Sequence, residues 1–207
     1  MGHTRQEMQG TTPARPGEQG FSMIEMIVVI AIIMVIAAMA IIQLQPALQQ
    51  NRAAAAAAQV KSALRQGRET AVSARRTIQV QFFTGAPCQV NTACIVLTRL
   101  DPPANVPTVI LTLPIEGSVQ FTLFPGEPDT PEGWGNGSAI FFGGVAGGPP
   151  TMTFQSDGSF TDGNGNPING TVFLGIPNYR TTAMALTVLG GTGRVHSYRC
   201  PGAQCVY

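Results

Sequence analysis

Glu25 stands at the head of an unbroken apolar run, Met26 to Ile42, that is long enough to cross a bilayer. A carboxylate there is costly in lipid unless it has a partner, so its placement implies an ion pair with a cation from elsewhere. Three other groups of residues could do chemistry. Four cysteines fall into two close pairs, Cys88 with Cys94 and Cys200 with Cys205. Arg194 and Arg199 lie near the C-terminus beside Tyr198 and Tyr207, with Arg180 upstream, and such a set can contact phosphates or stack on bases. Asp162, Asn164 and Asn166 echo the first half of a calcium loop, but Pro167 stands where that loop needs glycine and no glutamate closes it. That stretch reads as an Asn/Gly turn.

Catalysis finds little support. His3 and His196 are the only histidines, so no Ser/His/Asp set can be assembled, and GGVAGGPP lacks the lysine and helix start of a phosphate-binding loop. There is no C-x-x-C pair for zinc. The reading is therefore a protein that is not an enzyme, with no cofactor and no metal. Formal net charge is +1, so no global field favours a polyanionic partner. Charge is uneven, however. Arg52 to Arg76 holds six basic residues and one acid, Glu69, whereas Asp101 to Asp162 is acidic with no Lys or Arg.

The elements that must position these residues are a helix and a β-rich domain. The apolar run continues past Pro46, which should kink or loosen the helix, into an alanine-rich stretch of high helix propensity ending near Arg76. Val60, Ala63, Leu64, Gly67, Ala71 and Ala74 fall on one face, small enough for a sheet to pack closely. Lys61, Arg65, Arg68 and Arg75 run along another face, which is solvated, meets subunits or acidic partners, or meets nucleic acid. After Arg76 short β-branched runs alternate with prolines and glycines: TIQVQFF, CIVLTRL, TVILTL, SVQFTLF, SAIFF, TVFLGI, AMALTVLG and GRVHSYRC. Residues 125–137 read as an exposed loop, GGVAGGPP as flexible or a turn, and TMTFQSDGSF as a hairpin with a type I′ turn at Asp157-Gly158. The fold class is α+β: a long N-terminal helix packed against a C-terminal domain of two small antiparallel sheets.

Gly20, Phe21 and Glu25, followed by the apolar run, resemble the processing motif of the type IV pilin and type II secretion pseudopilin superfamily. The resemblance implies cleavage between Gly20 and Phe21 by a prepilin peptidase, N-methylation of Phe21, and later extraction of the helix from the inner membrane into a filament. The domains are then a leader (1–20), a membrane or filament-core helix (21–45), an amphipathic helix (46–76) and a periplasmic β-rich domain (77–207). In a filament, the Phe21 amine of a neighbour can neutralise Glu25 and fix axial register, because a misplaced subunit leaves two buried charges unpaired. The compartment beyond the inner membrane is oxidising, so disulfides are expected. Three connectivities exist for four cysteines. The local pairs are favoured, each adding about 2 kcal/mol because its loop is short.

Phe154, Asp157 and Gly158, then Gly191, Gly193, Arg194 and Val195, look like the GspH/FimT branch of minor pilins and pseudopilins. The resemblance implies a minor pseudopilin near the tip of a type II secretion pseudopilus, with other pseudopilins and a secreted substrate or the secretin as partners. Two alternatives stay open: a FimT-like minor pilin that binds DNA for uptake, and a major pilin. On the FimT side a Gly-Arg-x-Arg motif is associated with DNA. Here His196 holds the second arginine's place, and Arg199, three residues on, would face the opposite side of a strand.

Overall fold

The structure is a computed structural model that describes residues 21–207 apart from Asn91, without the side chains of Ile42 and Gln43. The leader assigned to residues 1–20 lies outside the described residues. The described residues divide into two compact units, one ending at Gln43 and the other running from Leu44 to Tyr207.

Helix α1 spans Met23–Ala74. Its start follows from local chemistry. The Ser22 carbonyl accepts the Glu25 and Met26 amides at 3.0 and 3.2 Å. Ser22-x-x-Glu25 has the pattern of a capping box, and a carboxylate in the first turn complements the helix dipole. Pro46 lies inside α1 without ending it, so the lost donor weakens the helix there but does not break it. The helix stops in a Schellman-type turn: Arg75 takes φ +51° and the Arg76 amide reaches the Ala71 carbonyl at 3.1 Å.

Beyond it the described residues form eleven strands: β1 Thr77–Thr84, β2 Ala93–Asp101, β3 Val106–Pro114, β4 Gln120–Phe121, β5 Ile140–Phe142, β6 Val145–Ala146, β7 Met152–Phe154, β8 Phe160–Asp162, β9 Gly170–Ile176, β10 Tyr179–Leu189 and β11 Arg194–Arg199. All pairings are antiparallel. One sheet runs β3-β2-β1-β7-β8 and the other β11-β10-β9-β5-β6, with β4 also on β9. The expected architecture, α+β with two antiparallel sheets against the helix, is the one observed.

The small face of α1 is buried against residues of both sheets. Ala53, Ala56, Ala57, Val60, Ala63, Leu64 and Ala71 join Ile78, Ile95 and Leu97 of the first sheet and Val172, Leu174, Leu186 and Val188 of the second. Gly67 lets Leu97 and Phe154 approach to 3.4 Å from where a Cβ would stand. Ala74, placed on this face by spacing, is exposed, because the helix ends there. A run of rings, Phe82 on Phe142, Phe142 on Phe160 and Phe160 on Phe154, links the two sheets at centroid distances of 6.2, 5.4 and 4.7 Å.

Four local expectations need correction. SVQFTLF yields only the two-residue β4, since the chain must turn at once to lay Leu123 and Phe124 elsewhere. GGVAGGPP contributes β6, a short edge strand on β5. The Asp157-Gly158 turn is not type I′, which needs positive φ at both residues. Only Gly158 has it (φ +86°), and the turn closes between the Gln155 carbonyl and the Gly158 amide. Asp157 instead accepts the Ser159 amide and hydroxyl at 2.9 and 2.7 Å. The fourth correction is the 125–137 segment, which is not a free loop. Glu127 and Thr130 are buried in it and Trp134 is half-buried. It lies over the outer face of the second sheet, where Phe124, Phe173, Ala183, Ala185, Tyr198, Cys200 and Cys205 form a second core.

Candidate assembly site

The N-terminal unit presents its apolar side chains outward all round. Phe21 is 73% exposed and Ile24 71%, and the stretch most able to span a membrane has none of its residues buried. Its mean hydropathy over that window is 3.1. Glu25 is exposed within this surface, and no basic side chain among the described residues pairs with it. Such a surface is stable only when lipid or other apolar helices cover it. Gly20 lies outside the described residues, so of the proposed scissile pair only Phe21 is seen.

The C-terminal arginines do not gather. Arg180 sits at the start of β10, where its guanidinium donates to the Pro125 and Gly126 carbonyls at 3.0 and 2.8 Å. Arg194 pairs with Leu189 at the far end of β10, about 30 Å along the strand. Arg199 lies between them, opposite Met184, and donates to Gln50 on α1 at 3.1 Å. His196 Nδ1 lies 3.2 Å from Glu132 Oε1.

Glu132 organises that outer face. It accepts from Thr187 Oγ1 at 3.1 Å, meets His196 Nδ1 at 3.2 Å, and accepts a hydrogen bond from the Tyr198 hydroxyl, while Tyr198 and Tyr207 hydroxyls lie 2.8 Å apart. Burial raises the Glu132 carboxyl, but the hydrogen bonds from Tyr198, His196 and Thr187 outweigh it and hold the group below the usual range. Burial and the bond to Glu132 push the Tyr198 phenol upward. Nothing in the linear sequence joins Glu132 to His196, since they stand far apart and the loop between them offers no periodicity.

The two motif turns meet on α1. A Cβ on Gly193, which has φ +62°, would lie 2.2 Å from the Gly158 carbonyl oxygen and 2.9 Å from Arg68 Cδ. Arg68 Nε donates to that same oxygen at 3.3 Å. The β7–β8 turn of one sheet and the β10–β11 turn of the other are thus locked together on one helix side chain, and only glycine fits.

Cys88 and Cys94 form one bonded pair and Cys200 and Cys205 the other, with Cα separations of 6.3 and 4.1 Å. The second pair anchors the C-terminus under the 125–137 segment, where Cys205 Sγ lies 3.7 Å from the Pro128 carbonyl oxygen. Asp162 Oδ1 accepts the Asn164 and Asn166 amides, each at 2.9 Å, which makes this stretch a side-chain-closed turn.

Residues 15–41 match the family model described as the prokaryotic N-terminal methylation motif. The matched segment carries the motif of a type IV pilin-like precursor. No curated protein and no solved structure matches it. The motif assigns this pilin-like chain to processing by prepilin peptidase and to assembly with other pilins. Proteins with this motif are structural subunits rather than enzymes. The apolar half of α1 is long and apolar enough to cross a membrane, which fits an inner-membrane anchor of the pilin-like type.

Proposed function

We propose that this pilin-like chain is a GspH/FimT-type minor pseudopilin of a type II secretion system, held in the inner membrane with its C-terminal domain in the periplasm and assembled near the tip of the pseudopilus. The peptidase cuts between Gly20 and Phe21 and the new Phe21 amine is methylated. The leader is then residues 1–20, the filament-core helix 21–45, the amphipathic helix 46–76 and the periplasmic domain 77–207. In the filament Glu25 pairs with the Phe21 amine of a neighbour and sets axial register. A mispaired subunit would bury two lone charges, so the pair selects position more than it adds stability.

The observation that carries the assembly reading is an exposed carboxylate in a fully uncovered apolar surface that matches the methylation motif. Support for export over DNA uptake comes from the C-terminal strand. His196, in the place of a second arginine, is engaged by Glu132, and Arg180 and Arg199 are spent on Pro125, Gly126 and Gln50. Of Arg180, Arg194 and Arg199, only Arg194 makes no side-chain hydrogen bond among the described residues, and one arginine gives a small phosphate footprint.

The test is deletion of the gene, with secretion of a type II substrate and natural transformation measured side by side. Loss of secretion with normal transformation supports the reading. Loss of transformation alone favours the FimT-like alternative. Dominance of the chain in sheared surface fibres would favour a major pilin.

A further inference from the structure

Beside the turn that joins β10 to β11 lies a groove of about 270 Å³, lined by Arg65, Arg68 and Glu69 of α1 and by Gly193, Arg194 and His196. The two sides are far apart in sequence and meet because the β7–β8 and β10–β11 turns lock onto Arg68. We propose that this groove is a carboxylate-binding site that receives an acidic segment of a neighbouring pilin-like subunit.

The lining holds three arginines and one glutamate, so it carries a surplus of positive charge. Among the described residues, the ion pairs of arginine use Arg52, Arg76 and Arg99, and none uses Arg65, Arg68 or Arg194. Arg68 is half-buried and fixed by Gly158, which orders the floor of the groove, while Arg65 and Arg194 are exposed on its rim. Planar guanidinium groups on two walls suit the two oxygens of a carboxylate.

Nucleic acid fits less well. No Phe, Tyr or Trp lines the groove for stacking, and Glu69 opposes a row of phosphates. A strand of nucleic acid also needs several phosphate contacts in line, and Arg180 and Arg199 are turned to other partners. Assembly with other pilins supplies the protein partner, and for that partner alone the inference rests on the assembly reading.

The test uses the full chain in detergent micelles and a labelled hexaglutamate peptide, with a DNA duplex as competitor, across a salt series. The expected result is salt-sensitive peptide binding that weakens at least about tenfold in an Arg65→Ala, Arg194→Ala double variant whose melting is unchanged. Arg68 is left intact because it holds Gly158. An Arg65→Lys, Arg194→Lys variant should keep charge but lose part of the affinity, since lysine cannot grip both oxygens. Absent peptide binding, or binding indifferent to both variants, overturns the proposal. So does DNA that binds through the same arginines more tightly than the peptide. The assembly reading fails on a different measurement, filament incorporation of a Glu25→Val chain, which leaves the groove untouched.

Discussion

The two ends of α1 solve opposite problems with opposite side chains. From Met23 to Leu48 the helix carries Ile, Val, Met and Leu, all exposed among the described side chains. From Ala53 to Ala71 its inner face is alanine, with Val60, Leu64 and Gly67, and that face is buried. Large apolar groups bring contact area to a cover that the chain does not provide itself. Small ones let two sheets come close to a cover that it does. Side-chain size along one helix therefore marks where the fold ends and where lipid or another subunit begins.

The comparison can be broken experimentally. Glu25→Val should leave cleavage largely intact and abolish filament incorporation, measured in sheared or crosslinked fractions. Normal incorporation would remove the register argument. On the covered side, Phe160→Ala should cost about 3–5 kcal/mol in denaturant unfolding, because Phe160 is fully buried between Phe142 and Phe154. Gly67→Leu should cost about 1–3 kcal/mol by overpacking against Leu97 and Phe154. Gly67→Ala should instead be neutral or stabilise by up to about 1 kcal/mol, since its Cβ meets those neighbours at ordinary contact distance. Ile32→Ala, on the uncovered side, should shift the domain's unfolding by less than about 0.5 kcal/mol. A large loss there would mean that the domain does cover that half.

A separate effect is a pH dependence in the 125–137 segment. Burial pushes the Glu127 carboxyl up to about 7, against the lowering effects of the Phe124 amide and the Arg180 charge. The amide sits 2.8 Å from one carboxylate oxygen, and the other has no partner. A raised folded value means that the folded state holds the proton more tightly. Stability from this group is then full below pH 4.5 and lost as pH rises toward 7. Wild type should thus lose roughly 2 kcal/mol relative to Glu127→Gln between those limits. Parallel unfolding curves for the two proteins across this window would show that Glu127 is already solvated. Asp101, Asp157 and Asp162 are lowered by hydrogen bonds and act in the opposite sense, below the usual carboxylate range.

Much of the architecture was legible in one dimension. Periodicity placed the small face of α1 and most strands, because burial on a regular element repeats with that element's own period. The 125–137 segment was misread because prolines and glycines look alike in an exposed loop and in one that caps a sheet. One signal was present. TVFLGI and AMALTVL are apolar at both parities, and β9 and most of β10 are buried on both faces, so something had to cover the far side of the second sheet. The identity of that cover was not readable, since Glu132 reaches His196, Tyr198 and Thr187 only through folding.

By itself the sequence determined the processing signal, the uncovered helix and the close-packing face, because each is a matter of local residue types at fixed spacing. Tertiary structure alone decided which carboxylates are buried, which arginines are spent and which remain at the groove beside Arg194. Those outcomes depend on pairs of residues brought together by sheet register and by two glycine turns meeting on Arg68, and no local pattern encodes a distance between such segments.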